Sequence, residues 1–273
     1  MEGGRTARAA LTDVKTRVDR AAARVREEGT ALEAKRTAYE SFVRRVAAVP
    51  TEPAPSGAPR ATATTGAQFR AAATGGDGCR AVRKAFAETV RPHSIADVDD
   101  PESLSATIRN ELTDAVADAL APATGAAFTP KAKRAVVAEA RTQRAGVAVT
   151  DRALDREAAS LDDAAADVED VTSWVAAAER TPLSELGFDA LRDRHRTLAA
   201  HRERCEATVA DRQSFLREST GRSAAVEVGH RALALYLYQG LPVNYPALSA
   251  VARLDGVCES CQRAVRAHLV RRA

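Results

Sequence analysis

Cys258 and Cys261 bracket a Cys-Glu-Ser-Cys step, and a Cys-x-x-Cys pair has two chemistries open to it: its thiolates chelate zinc or run thiol–disulfide exchange. A structural zinc site needs a second pair at matched spacing, whereas Cys79 and Cys205 stand singly and far off in the chain. A redox pair of the thioredoxin kind opens a helix after a strand. Here the two thiols instead continue a stripe through Val251, Leu254, Val265 and Leu269, at steps of three and four that mark one buried helical face. Both cysteines are therefore assigned to packing, as small hydrophobes. A thiol or metal site at this pair remains the third functional reading.

Other constellations are weaker. His93, His195, His201, His230 and His268 include no pair four residues apart, the spacing that sets two metal-binding imidazoles on one helical turn. His195 falls within an apolar helical series, where a register-setting or partnered imidazole is expected rather than a ligand. Gly75-Gly76-Asp77-Gly78 has neither a preceding strand nor a following lysine-threonine pair, so it does not read as a phosphate loop. No nucleophile elbow, zincin pair or kinase signature occurs, and the carboxylates fall on polar helix faces. The expectation is thus of no enzyme, with no catalytic, cofactor-binding or metal residues and no cofactor. Arg192, Arg194, Arg196, Arg202 and Arg204, with Arg263, Arg266, Arg271 and Arg272, supply positive charge along two helices, but Asp189, Asp193, Glu203 and Glu206 dilute it. Nucleic-acid-associated regulation through these arginines is the second functional reading.

The elements that position these residues are long helices. Leu11, Val18, Val25, Leu32, Tyr39 and Val46 recur at a spacing of seven, with Val14, Ala21 and Phe42 between them, and Ala140, Val147, Leu154, Leu161, Val168 and Val175 repeat the pattern. Each series is a seam that must bury against another. Pro50, Pro53, Pro55 and Pro59 end the first helix, because proline lacks the backbone donor and restricts the residue before it. From there to Gly78 the chain is rich in Pro, Ala, Thr and Gly, which predicts a flexible, disordered linker. Asp100-Pro101, Thr129-Pro130 and Thr181-Pro182 each place a capping side chain before a proline at a helix start. Leu104, Ile108, Leu112, Val116 and Leu120 form a stripe after the first of these. Phe188, Leu191, His195, Leu198, Arg202, Cys205, Val209, Arg212 and Leu216 form a broken seam after the third.

Composition agrees. Alanine accounts for 61 residues and aromatic side chains for only 4%, which suits thin helix packing over a thick globular core. The net charge of +3 is small but divides unevenly, +4 over residues 1–48, −5 over 79–180 and +4 over 181–273, a mixed field with no concentrated basic patch. No long apolar run follows Met-Glu-Gly-Gly-Arg or occurs elsewhere, so a cytoplasmic chain with reduced thiols and no membrane association is expected.

The run Cys79-Arg-Ala-Val-Arg-Lys-Ala-Phe-Ala-Glu-Thr-Val-Arg-Pro-His93, with Leu183-Ser-Glu-Leu-Gly-Phe-Asp-Ala-Leu-Arg192 and Tyr236-Leu-Tyr238, resembles a haloarchaeal family of helical proteins classed as a domain of unknown function. The resemblance spans nearly the whole chain and implies no activity and no site residues. A preference for 35 arginines over 5 lysines suits that source. The near-neutral to basic charge departs from the acidity usual there; a bound acidic partner would account for it, and so would plain variation.

The expected fold is all-α: an elongated antiparallel coiled-coil-like helical bundle with a small helical end and an internal linker. Its divisions are an N-terminal helix over 1–49, the linker over 50–78, and a bundle over 79–273. The bundle comprises short helices at 79–91 and 101–120, a long helix at 130–180, a helix at 188–218, a short helix at 228–240 and a C-terminal helix at 246–271. The expected role is non-catalytic interaction or scaffolding, through a protein partner or self-association of the helical seams.

Overall fold

The computed structural model describes residues 2–53, 76–94, 102–122, 126–218 and 229–272, with side chains from residue 8 onward. Among these the chain is all-α. Its helices are α1 (Glu2–Ala48), α2 (Asp77–Thr89), α3 (Leu104–Glu111), α4 (Asp114–Ala119), α5 (Pro130–Ala178), α6 (Phe188–Arg217), α7 (His230–Tyr238) and α8 (Pro246–Val270). Single turns of 3-10 helix occupy Arg91–His93 and Leu183–Glu185, and no strand occurs among the described residues. No helix among them is long and apolar enough to cross a membrane. Of the linker expected over 50–78, residues 54–75 lie outside the described residues, and Asp77 and Gly78 already belong to α2.

Local chemistry sets the helix ends. Val49 N–H closes the last turn of α1 on Val46 O at 3.1 Å, and Pro50 cannot donate to continue it. Thr129 Oγ1 accepts the Ala132 N–H at 3.2 Å and so caps α5, whose first residue is Pro130. The single helix expected over 101–120 is instead two. Ser103 caps α3 by accepting the Ala106 N–H at 3.2 Å, while Asp100 and Pro101 lie outside the described residues. Leu112 then leaves helical geometry at φ −120° and ψ −104°, and Thr113 Oγ1 accepts the Val116 N–H at 3.3 Å to start α4. Each hydroxyl satisfies an otherwise orphaned donor, which makes the break tolerable. Leu112, Val116 and Leu120 stay buried across it.

The chain forms two compact units, residues 1–29 with 152–273 and residues 30–151. Both seams are buried, at Leu11, Val18, Val25, Tyr39 and Val46 in α1 and at Ala140, Leu154, Leu161, Val168 and Val175 in α5. Leu32 and Val147 are half-buried.

In the unit of residues 30–151, Tyr39, Phe42, Val46, Phe86, Ile108 and Phe128 lead the core. Phe42 and Phe86 meet edge to face, with ring centroids 5.6 Å apart and planes at 84°, a geometry worth about 0.5–1.5 kcal/mol beyond area burial. The Tyr39 hydroxyl donates to the Glu111 carboxylate, which also receives Lys35 Nζ at 2.9 Å. Burial, with Glu111 beside it, holds that phenol well above the ordinary tyrosine range. Lys133 Nζ donates to Ala47 O at 2.6 Å and Val49 O at 2.8 Å, satisfying the open carbonyl end of α1. Gly78 has no room for a side chain, since a Cβ there would lie 2.6 Å from Phe128 Cβ.

In the unit of residues 1–29 and 152–273, Val14, Val171, Leu191, Leu198, Leu254 and Cys258 are among the buried core. Ion pairs give the register. Arg253 meets Asp13 at 3.0 Å and Arg17 donates to Ser249 at 3.0 Å, so α1 and α8 run antiparallel. Arg202 meets Asp255 at 2.8 Å while Gln262 reaches His195 O, so α6 and α8 are antiparallel too. Arg204 meets Asp167 at 2.9 Å and Arg212 donates to Ser160 at 2.8 Å, giving α5 and α6 the same relation. Phe188, placed by its spacing in the α6 seam, is instead 49% exposed, because it is the first residue of the helix.

Candidate functional site

A cleft of about 1040 Å³ opens in the unit of residues 1–29 and 152–273, walled by α1, α5, α6, α8 and the turn at Leu183–Glu185. Its apolar lining comes from Trp174 and Val175 on α5, Leu183 on the turn, Leu198 on α6, and Val257 and Val265 on α8. Helical periodicity brings the α8 residues here. Arg253, Gly256, Val257, Ser260, Cys261, Ala264 and Val265 follow at steps that hold one side of the helix. Gly256 leaves this wall open, for a Cβ built there meets nothing within 4 Å.

Charge in the lining is one-sided: Arg8, Arg180, Arg194 and Arg253 stand against Glu179. Asp13 pairs with Arg253, but among the described residues the half-buried Arg194 donates only to Thr181 O, at 3.3 Å. Burial pulls the Arg194 guanidinium below its ordinary value, the direction expected of a cation in a poorly solvated place without a carboxylate. Trp174 also packs on the His201 ring at 4.9 Å, and burial with Arg204 nearby lowers that imidazole.

The two cysteines that the sequence singles out part company. Cys258 is fully buried, in the same core as Cys205, whereas Cys261 is half-buried and lines the cleft. Both were expected on one buried face. A three-residue step leaves the two thiols about 60° apart around the helix axis, so Cys258 points into the core while Cys261, packed against the edge of that core, also lines the cleft. Burial pushes the Cys258 thiol up to about 12 and Cys205 up to about 11, and it raises Cys261 as well, with Glu179 adding to the effect. Reactive or metal-binding thiols are shifted the other way. Among the described residues no group of three or more His, Cys, Asp or Glu side chains is placed to hold a metal ion.

The arginines of α6 and α8 mostly face carboxylates or carbonyls of the chain itself. Arg192 meets Asp189 at 3.1 Å, Arg202 meets Asp255 and Arg204 meets both Asp167 and Asp170. Arg263 pairs with Glu259 at 3.4 Å, and Arg272, just past the end of α8, donates to Ser184 O and Leu186 O. Such pairing leaves little of that charge for a phosphate track.

A second cluster was not foreseen. Glu157 of α5, wholly buried, accepts through Oε1 from both Arg212 of α6 and Tyr238 of α7. Arg212 also lies over the Phe215 ring at 5.1 Å, and Phe215 stacks on the buried His230 at 4.2 Å. Among the described residues neither ring nitrogen of His230 has a hydrogen-bond partner. Burial, then Arg156, lowers that imidazole, and burial beside Glu157 raises the Tyr238 phenol. A usable signal was present: position 157 lies three residues after Leu154 and four before Leu161, inside the seam, and Arg212 was itself a seam member.

No curated protein and no solved structure matches the chain. Residues 16–262 match the family described as a domain of unknown function, DUF7260, so the helices that build both the cleft and the buried cluster fall almost wholly within a region that places this chain in that family.

Proposed function

We propose that the chain is a non-catalytic, cytoplasmic interaction protein of haloarchaeal type, and that it receives a protein partner in the cleft between α1, α5, α6 and α8. The observation that carries this reading is the cleft itself: a large, apolar-lined opening whose thiol is pushed away from reactivity by burial. An opening of this kind exposes apolar surface at a cost in water, which a partner relieves. Four free thiols also suit a reducing compartment.

The test places a photo-crosslinking residue at position 256, where the wall is open, and a control crosslinker at the exposed position 217, both in the native host. Protein adducts specific to position 256 are expected. The same adducts from both positions, or none from 256, would remove the cleft as the contact surface.

A further inference from the structure

The cleft's chemistry narrows the partner. Resting on the docking reading above, we infer that the occupant is an acidic amphipathic helix, its apolar side chains seated against Trp174, Leu183 and Val257 and a carboxylate engaging Arg194. Two observations support this independently of each other.

The first is charge. Arg194 is half-buried beside apolar surface and, among the described residues, makes one hydrogen bond, at 3.3 Å, to a backbone carbonyl. A guanidinium carries five N–H donors in a planar fork that matches a carboxylate. Arg8 and Arg180 are exposed on the same lining, so the local field favours an anionic partner over a neutral or basic one. The second is length. The α8 wall runs from Arg253 to Val265, about 18 Å at 1.5 Å per residue, or three turns. That run accommodates the anchors at i, i+3 or i+4 and i+7 by which a helix sits in a groove.

Trp174 is the chain's only tryptophan and lines the cleft, so its emission reports occupancy directly. The full-length protein is titrated with three helical peptides that share one leucine face and differ elsewhere, carrying Glu, Gln or Lys. The Glu peptide is expected to shift Trp174 emission saturably, about tenfold tighter than the Gln peptide and more weakly as salt rises, with no saturation by the Lys peptide. Arg194→Gln should abolish the preference for Glu over Gln while leaving the melting curve unchanged, and Arg194→Lys should retain part of it. Gly256→Phe, which fills the wall, should block every peptide.

Equal binding of the Glu and Gln peptides overturns the acidic partner yet leaves docking in the cleft standing. Competition by decanoate or by anionic phospholipid vesicles, with the same emission shift, assigns the cleft to a small carboxylate or a lipid headgroup and overturns the helix. No shift with any peptide also overturns it, and the crosslinks from position 256 then decide the docking reading by themselves.

Discussion

Tyr238 donates its phenolic hydroxyl to the same Glu157 oxygen, Oε1, that receives the Arg212 guanidinium, so a single carboxylate oxygen joins α5, α6 and α7. The other oxygen, Oε2, has no hydrogen-bond partner among the described residues. Burial of all three side chains makes the group interdependent, since removing any one strands the charge or donor of another.

Glu157→Ala should therefore cost about 3–5 kcal/mol, most of it the penalty of a buried, unpaired Arg212. Replacing Glu157 and Arg212 together by Leu should cost markedly less than Glu157→Ala alone, because no ion is then left in the core. Urea unfolding of the three proteins checks both. A single variant milder than the double would mean that the pair is not coupled.

His230 and His201 should make the fold acid-sensitive. Both are depressed by burial, so each stays neutral in the folded chain at a pH where the unfolded chain binds a proton. Above about pH 6.5 neither state is charged and stability is full; below it stability falls until the lowered folded value is reached. His230 faces Arg156, Arg212, Glu157 and Glu218. His230→Phe, which keeps a ring against Phe215, should flatten the loss between pH 7 and pH 5. Melting curves with the same slope as the parent protein would refute the assignment.

The thiols should label in an order set by place. Cys261, on the cleft wall, should react with a maleimide in the native state well before Cys258 or Cys205, both of which are in the core. Cys258→Ala should cost about 1–2 kcal/mol through lost volume, and Cys258→Ser more through a buried hydroxyl. Mass spectrometry of a labelling time course gives the order. Stoichiometric metal in the purified protein, lost in Cys258→Ala, would contradict the packing role.

Glycines divide into two kinds. Gly146 and Gly256 lie within helices with open space where a Cβ would stand, so alanine at either should stabilise by about 0.5–1 kcal/mol through lower backbone entropy in the unfolded chain. Gly78→Ala should destabilise by about 1–3 kcal/mol, because its Cβ would strike Phe128. Thermal melts of the three variants should move in opposite directions.

Much of the helical framework could be read from spacing. The two seven-residue series gave α1 and α5 and most of the residues they bury, with Pro50 marking the end of α1 and Thr129-Pro130 the start of α5, because periodicity and capping are local properties. The division of α3 from α4 was hidden, since the stripe from Leu104 to Leu120 continues in step across the break at Leu112. Glu157 stands at a seam position, yet its partners, Arg212 and Tyr238, come from α6 and α7 and could not be read from that spacing. The cleft was not legible at all. It depends on which helices neighbour one another, and residues as far apart as Arg8 and Val265 line it without any local mark of doing so.

The grip of Lys133 on Ala47 O and Val49 O has a kinetic side. A helix that ends against a proline would ordinarily fray from that end, letting its last amides trade hydrogen for deuterium readily. Here the Lys133 ammonium holds the last carbonyls of α1, so that end cannot loosen without breaking both bonds. The final-turn amides of α1, bonded within the helix, should therefore exchange slowly and open together. Acetylating Lys133, which removes its charge, should release that turn.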